Sequence, residues 1–257
     1  MTSPLEHRLL PDTAEVHDND IVVGGVSLRE LAGRWGTPLF VYDESTLRAR
    51  AREAATSFDS GVAFASKSFF CGAMASLAID EGLCVDVSTA GELDVALRAG
   101  VPGESIIVHG NNKSTKELDQ ALDVGVRRII VDSFDEIGRL VHLVSAERPA
   151  RCMVRVTPGV EAHTHEFVRT GQEDTKFGFS LASGDAQRAI EELREIPHVT
   201  VEGVHCHIGS QIFALDSYRE AVRLLATFLR TNDVGELCIG GGLGVAYVTE
   251  AVAPTIT

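Results

Sequence analysis

Aromatic residues are scarce in this chain, at 6% of its 257 residues. Basic residues are outnumbered: 23 Lys and Arg stand against 37 Asp and Glu, a formal net charge of −14. Such a balance argues against general binding to nucleic acid or to an anionic membrane, although one cleft can still be locally basic. No apolar run approaches the ~20 residues of a membrane span. The opening MTSPLEHRLLPD has no apolar core of signal-peptide length. The five cysteines, Cys71, Cys84, Cys152, Cys206 and Cys238, are odd in number, and no two are spaced C-x-x-C. They read as reduced, small apolar side chains in a cytoplasmic protein. What remains is an ordinary globular composition, 44% hydrophobic and 23% charged.

From residue 62 the chain becomes rhythmic. VAFAS, CVDVS, IIVHG, IIVDS and MVRVT begin at 62, 84, 106, 129 and 153 and are separated by amphipathic stretches. The advance of 22 to 24 residues is a βα period. VTVEGVHCHI (199–208) and ELCIGGG (236–242) add two strands, with the helical pattern SYREAVRLLATFLR between them. Seven βα strands with right-handed crossovers build a parallel sheet, either doubly wound or a (β/α)8 barrel. Alternation favours the barrel. Ala63, Ala65 and Lys67 share one face, as do Cys84, Asp86 and Ser88, and Gly203, His205 and His207. Polar groups would then line the interior, with function at the strand C-termini. An eighth strand is not visible, so the sequence is expected to be a fragment whose barrel stops short. The first 45 residues lie outside the rhythm.

Several of these residues can carry chemistry. Lys67 ends an apolar strand. It is either a solvated strand-end lysine or, if desolvated, an amine poised to form a Schiff base. GGGLG (240–244) after the seventh strand can form an anion nest, or serve only as a flexible turn. HCHIGSQ (205–211) places two imidazoles on one face, a possible metal pair if Asp86, Asp132 or His109 joined them. His163 and His165 fall in a loop. Arg155 alternates with Val154 and Val156, so it points inward and needs an anion; Asp86 and Glu92 are the expected partners.

In order, FASKS, DVSTAGEL, HGNNKS, VRVTPGVEAHTHE, DTKFGF, HCHIGSQ and GGGLG closely resemble the barrel domain of pyridoxal-phosphate-dependent amino-acid decarboxylases with the alanine-racemase-like fold. HIGSQ together with EAHTHE and KFGF is most similar to the diaminopimelate decarboxylases. The likeness runs from about residue 38 to 248 and implies specific roles. Lys67 would hold pyridoxal 5′-phosphate as an imine and later move protons. His207 would stack on the pyridine ring. Ser210, Gly240, Gly241, Gly242 and Gly244 would bind the phosphate. Asp86, Glu92 and Arg155 would form the polar network beside the imine. The reaction implied is loss of CO2 from meso-diaminopimelate to give L-lysine. Another basic amino acid, or a non-catalytic cofactor-binding module, is the alternative.

The same resemblance implies what these 257 residues lack: an eighth strand with an acidic residue for the pyridinium nitrogen, and a β-rich C-terminal domain. Residues 1–45 would pair with that domain, and residues 46–257 would form the incomplete barrel. A homodimer with shared sites is expected of the full-length protein.

Overall fold

The computed structural model describes residues 9–59, 61–159, 176–248 and 250–256. Three short strands open it, β1 (Glu15–His17), β2 (Asp20–Val23) and β3 (Val26–Ser27), in an antiparallel meander. Helices α1 (Leu28–Trp35) and α2 (Glu44–Ser57) follow. The sequence rhythm gives no hint of this meander, because it lies before residue 62, where the βα advance begins. Residues 38–42, between the helices, form no strand and expose Leu39, Phe40, Val41 and Tyr42. Asp43 caps α2 and accepts from the Thr13 hydroxyl at 3.0 Å, which fastens the meander to the rest.

The βα rhythm then holds. β4 (Ala63–Ala65), α3 (Gly72–Asp80), β5 (Cys84–Val87), α4 (Ala90–Arg98), β6 (Ile106–Val108), α5 (Thr115–Val124), β7 (Arg128–Val131), α6 (Phe134–Leu143) and β8 (Ala150–Thr157) succeed one another. β9 (Phe179–Ser180), α7 (Asp185–Glu195), β10 (Val199–His205), α8 (Asp216–Asn232) and β11 (Glu236–Cys238) complete the order. The seven anticipated strands form one curled parallel sheet, β4-β5-β6-β7-β8-β10-β11, a half-barrel with β4 and β11 at its margins. β9 was not anticipated. It pairs with β8 off the main path through only two residues.

Alternation decides the faces. Val85 and Val87, Ile129 and Val131, and Cys152, Val154 and Val156 are buried in one core with the helices. The opposite face carries Asp86, Ile130, Met153 and Arg155. Each helix after β5, β6 and β7 starts with the same device. Thr89, Ser114 and Ser133 accept from the backbone N–H three residues on, at Glu92, Glu117 and Glu136. Those glutamates sit at the position where a carboxylate can reach back toward the cap, the S/T-x-x-E signature of a helix start. At the floor of the half-barrel Arg128, almost fully buried, crosses the interior to Glu202 on β10 and to Glu236 on β11 at 2.8 Å. No helix among the described residues is long and apolar enough to cross a membrane.

Candidate active site

The polar groups gather at the C-terminal ends of the strands. Asp86, on the inner face of β5, accepts from His109 Nδ1 at 2.5 Å. His109 follows β6 on the same face, and its ring meets that of His205 edge-on at 4.5 Å. His205 ends β10 and is only 5% exposed. His109 Nε2 and His205 Nδ1 are buried with no hydrogen-bond partner among the described residues. His207 lies two residues further. Burial holds His205 well below the usual imidazole range, and the neighbouring His109, Arg155, His207 and Lys67 add to the effect. His207 is pushed down to about 4, first by burial and then by Lys67, Arg155 and His109. Both imidazoles are therefore neutral near pH 7.

The strand expected to reach Lys67 is shorter than its alternation suggested. The strand stops at Ala65, and residues 66–68 make one tight helical turn. Lys67 is exposed rather than enclosed. β4 is a margin of the sheet, so no neighbouring strand covers that side. Its charge disfavours protonation of both His205 and His207, and the strand that leads to it ends with Ala65 opposite Asp86.

Arg155 has neither expected partner. Its guanidinium bonds Asp132 at 3.2 Å and lies 4.4 Å from the centre of the Phe177 ring. Asp132 also accepts from the Gly178 N–H at 2.8 Å. Asp86 is engaged by His109. Glu92 is spent on its own helix, where it accepts from the Ser88 N–H at 2.7 Å. Helix capping competes for a glutamate three residues after a cap, and here it wins. Asp132 and His109 entered the sequence reading only as possible metal ligands. Their inward positions at strand ends were the available signal. Among the described residues no group of three or more His, Cys, Asp or Glu is placed to share a metal ion. His163 and His165 lie outside the described residues.

Lys113, in the HGNNKS stretch, is fully buried. Its ammonium donates to the carbonyls of Gly110 and Ile130, each at 2.7 Å, and pairs with Glu136 at 2.9 Å. It thereby joins the loop after His109 to the strand that leads to Asp132.

The remaining candidates form two interlocked loops. Gly240 and Gly242 have φ of +67° and +114°, a region that favours glycine. A Cβ on Gly240 would lie 2.5 Å from the Cys206 carbonyl, and one on Gly242 would collide with the carbonyl of Gly209. A Cβ on Gly244 would sit 2.8 Å from the Phe213 ring. Gly241 alone of the four faces open space. Tyr218 donates to its carbonyl at 3.0 Å. Ser210 is exposed on the facing loop.

The sequence model described as "Pyridoxal-dependent decarboxylase, pyridoxal binding domain" matches residues 44–256. Diaminopimelate decarboxylase of Mycobacterium tuberculosis is 44% identical over 249 residues, 92% of this chain and 56% of that protein. The Bacillus subtilis enzyme of the same name is 42% identical over 248 residues, 89% of this chain and 55% of that one. The chain thus spans little more than half the length of these relatives. Diaminopimelate decarboxylase of M. jannaschii, solved in complex with L-lysine, superposes with a TM-score of 0.86 at 31% identity, covering 95% of this chain and 60% of that one. The chain belongs to the family of pyridoxal-binding domains of pyridoxal-dependent decarboxylases.

Proposed function

We propose that this chain provides the pyridoxal-phosphate-binding barrel of an enzyme that decarboxylates meso-diaminopimelate to L-lysine. The observation that carries the reading is a convergence. Lys67, Arg155 and three imidazoles meet with Asp86 and Asp132 in one cleft of an otherwise acidic chain. The cleft fits an anionic aromatic aldehyde. It offers a primary amine, a neutral imidazole face at His207 and, at its rim, the open backbone at Gly241 beside Ser210.

Pyridoxal phosphate, when bound, supplies an electron sink for the carbanion that loss of CO2 leaves. The chain's own residues supply the rest. Lys67 Nζ would hold the cofactor through its aldehyde carbon, with loss of water, and once displaced by the substrate's amine it would be free to move a proton at the reacting carbon. His207 would offer a ring face without adding charge. The Ser210 hydroxyl and the Gly241 backbone would hold the phosphate, with Gly240, Gly242 and Gly244 shaping that loop. Asp86, held by His109, and Arg155, held by Asp132, fix the polar surroundings of Nζ. The alanines before Lys67 leave space beside it.

The relatives' names and the lysine-bound structure support diaminopimelate as substrate. Homodimerisation and a cytoplasmic location extend the reading and rest on the family resemblance. The test uses the full-length gene product with pyridoxal phosphate and, separately, meso-diaminopimelate, L-ornithine and L-arginine. CO2 release with meso-diaminopimelate, and loss of both the visible cofactor band and the activity in Lys67→Ala, are expected. No CO2 from meso-diaminopimelate, or an unaltered band in Lys67→Ala, would overturn the assignment.

A further inference from the structure

Gln211 occupies a backbone conformation that side chains avoid. Its φ is +55°, in the left-handed region where a residue other than glycine is strained. Such strain persists where the surroundings hold it in place, and here the surroundings are visible. The Gln211 Oε1 accepts from the Val245 N–H at 2.8 Å. Next to it the Ile212 N–H donates to the Gly242 carbonyl at 2.8 Å, and the Gly244 N–H donates to the Ile212 carbonyl at 2.9 Å. Three bonds in series therefore zip residues 211–212 to residues 242–245. Two are backbone bonds that any residue could make. The third exists only because position 211 carries an acceptor on a side chain of this length.

The zipped loops carry the two groups that face outward here. Ser210 immediately precedes Gln211, and Gly241 immediately precedes the first zipped residue. The spacing between the Ser210 hydroxyl and the Gly241 backbone depends on the register of the zip. The packing at Gly242 and Gly244 limits how closely the loops approach. It does not prevent the outer strand of the zip from peeling at Val245.

We infer that Gln211 is a positioning residue for phosphate: its side-chain amide clamps the loop after β11 so that Ser210 and Gly241 are held at the separation a phosphate group needs. The inference rests on the cofactor reading above and concerns one half of the cofactor only. The clamp should matter for a phosphorylated ligand and not for its phosphate-free analogue.

The test compares the full chain with Gln211→Gly and Gln211→Met. Glycine removes the acceptor and relieves the strained backbone. Methionine removes the acceptor and keeps the strain. Each protein is titrated with pyridoxal 5′-phosphate and with pyridoxal, following the visible band of lysine-bound ligand, and its melting temperature is measured. Loss of one clamping hydrogen bond should weaken pyridoxal phosphate roughly five- to tenfold in both variants. Pyridoxal binding should stay at the wild-type value in both. Gln211→Gly should melt at or above the wild-type temperature, and Gln211→Met at or below it. Undiminished affinity for pyridoxal phosphate in Gln211→Gly would overturn the inference. So would an equal loss for both ligands, or a melting temperature well below wild type in Gln211→Gly, since either makes the residue merely structural. A wild-type protein giving no band with either ligand would instead sink the cofactor reading, and this inference with it.

Discussion

His205 is buried and His207 half-buried near Lys67 and Arg155 at the mouth of the half-barrel, and that placement has a consequence for pH. Both have folded-state pKa values below the ordinary imidazole value near 6.5, His207 at about 4. As pH falls below 6.5 the unfolded chain takes up protons that the folded chain refuses. Stability is therefore full above 6.5 and is lost as pH falls toward 4. Carboxylates titrate mainly in the lower part of this window, so the slope between pH 6.5 and about 5 reports the imidazoles. Denaturant titrations across that range should show a shallower slope for His205→Asn than for wild type. An unchanged slope would show that His205 does not resist protonation. Alternation alone showed that His205, His207, Asp86 and Arg155 face inward. It did not show which acid Arg155 takes, because that choice depends on competing bonds. Glu92 was withdrawn by its helix and Asp86 by His109, leaving Asp132. Nor did alternation choose between the solvated and enclosed readings of Lys67, because that depends on which strand forms the margin of the sheet.

At the level of elements, strand and helix positions from β4 to β8 were legible, because each strand has a two-residue period and each helix after β5, β6 and β7 a Ser or Thr start. The meander and β9 were not, since they stand outside the 22-to-24-residue advance that marks the other strands. Nor does sequence reveal how two βα units are joined. Lys113 does this, with its ammonium buried against Glu136 and two carbonyls. Removing one member of a buried pair strands the other charge, at a cost of about 3–5 kcal/mol. Lys113→Met should lose that much. In Lys113→Met/Glu136→Gln no charge is stranded, and the amide oxygen can still accept from the Asp132 N–H that Glu136 now receives. The double variant should recover ~2 kcal/mol or more relative to simple additivity. Equilibrium unfolding of the four proteins checks this, and additive losses would remove the pair from the account.

For the whole molecule, net charge and local charge oppose each other. The chain bears −14 overall, yet Lys67 and Arg155 bring two cations to one cleft. A phosphorylated aldehyde approaching from a distance meets repulsion first, and attraction only within the cleft. Salt screens the long-range part more strongly, with a Debye length of about 10 Å at 0.1 M. Stopped-flow association of pyridoxal phosphate should accelerate between about 0.01 and 0.15 M salt, while uncharged pyridoxal should not respond. Slower association with added salt would mean that the cleft, not the acidic surface, governs approach. Composition disclosed the surface field but not the cleft, whose members are scattered from residue 67 to residue 207.

Arg128 gives the half-barrel a further property. It begins β7, and Glu236 begins β11, with β8 and β10 lying between them. The bond therefore acts as the pivot of a caliper. It is set at one end of the strands, and the jaws are at the other, where Arg155 and the 240–244 loop stand. The strand ladders set the opening of the jaws, and Arg128 braces them from the far end through two carboxylates.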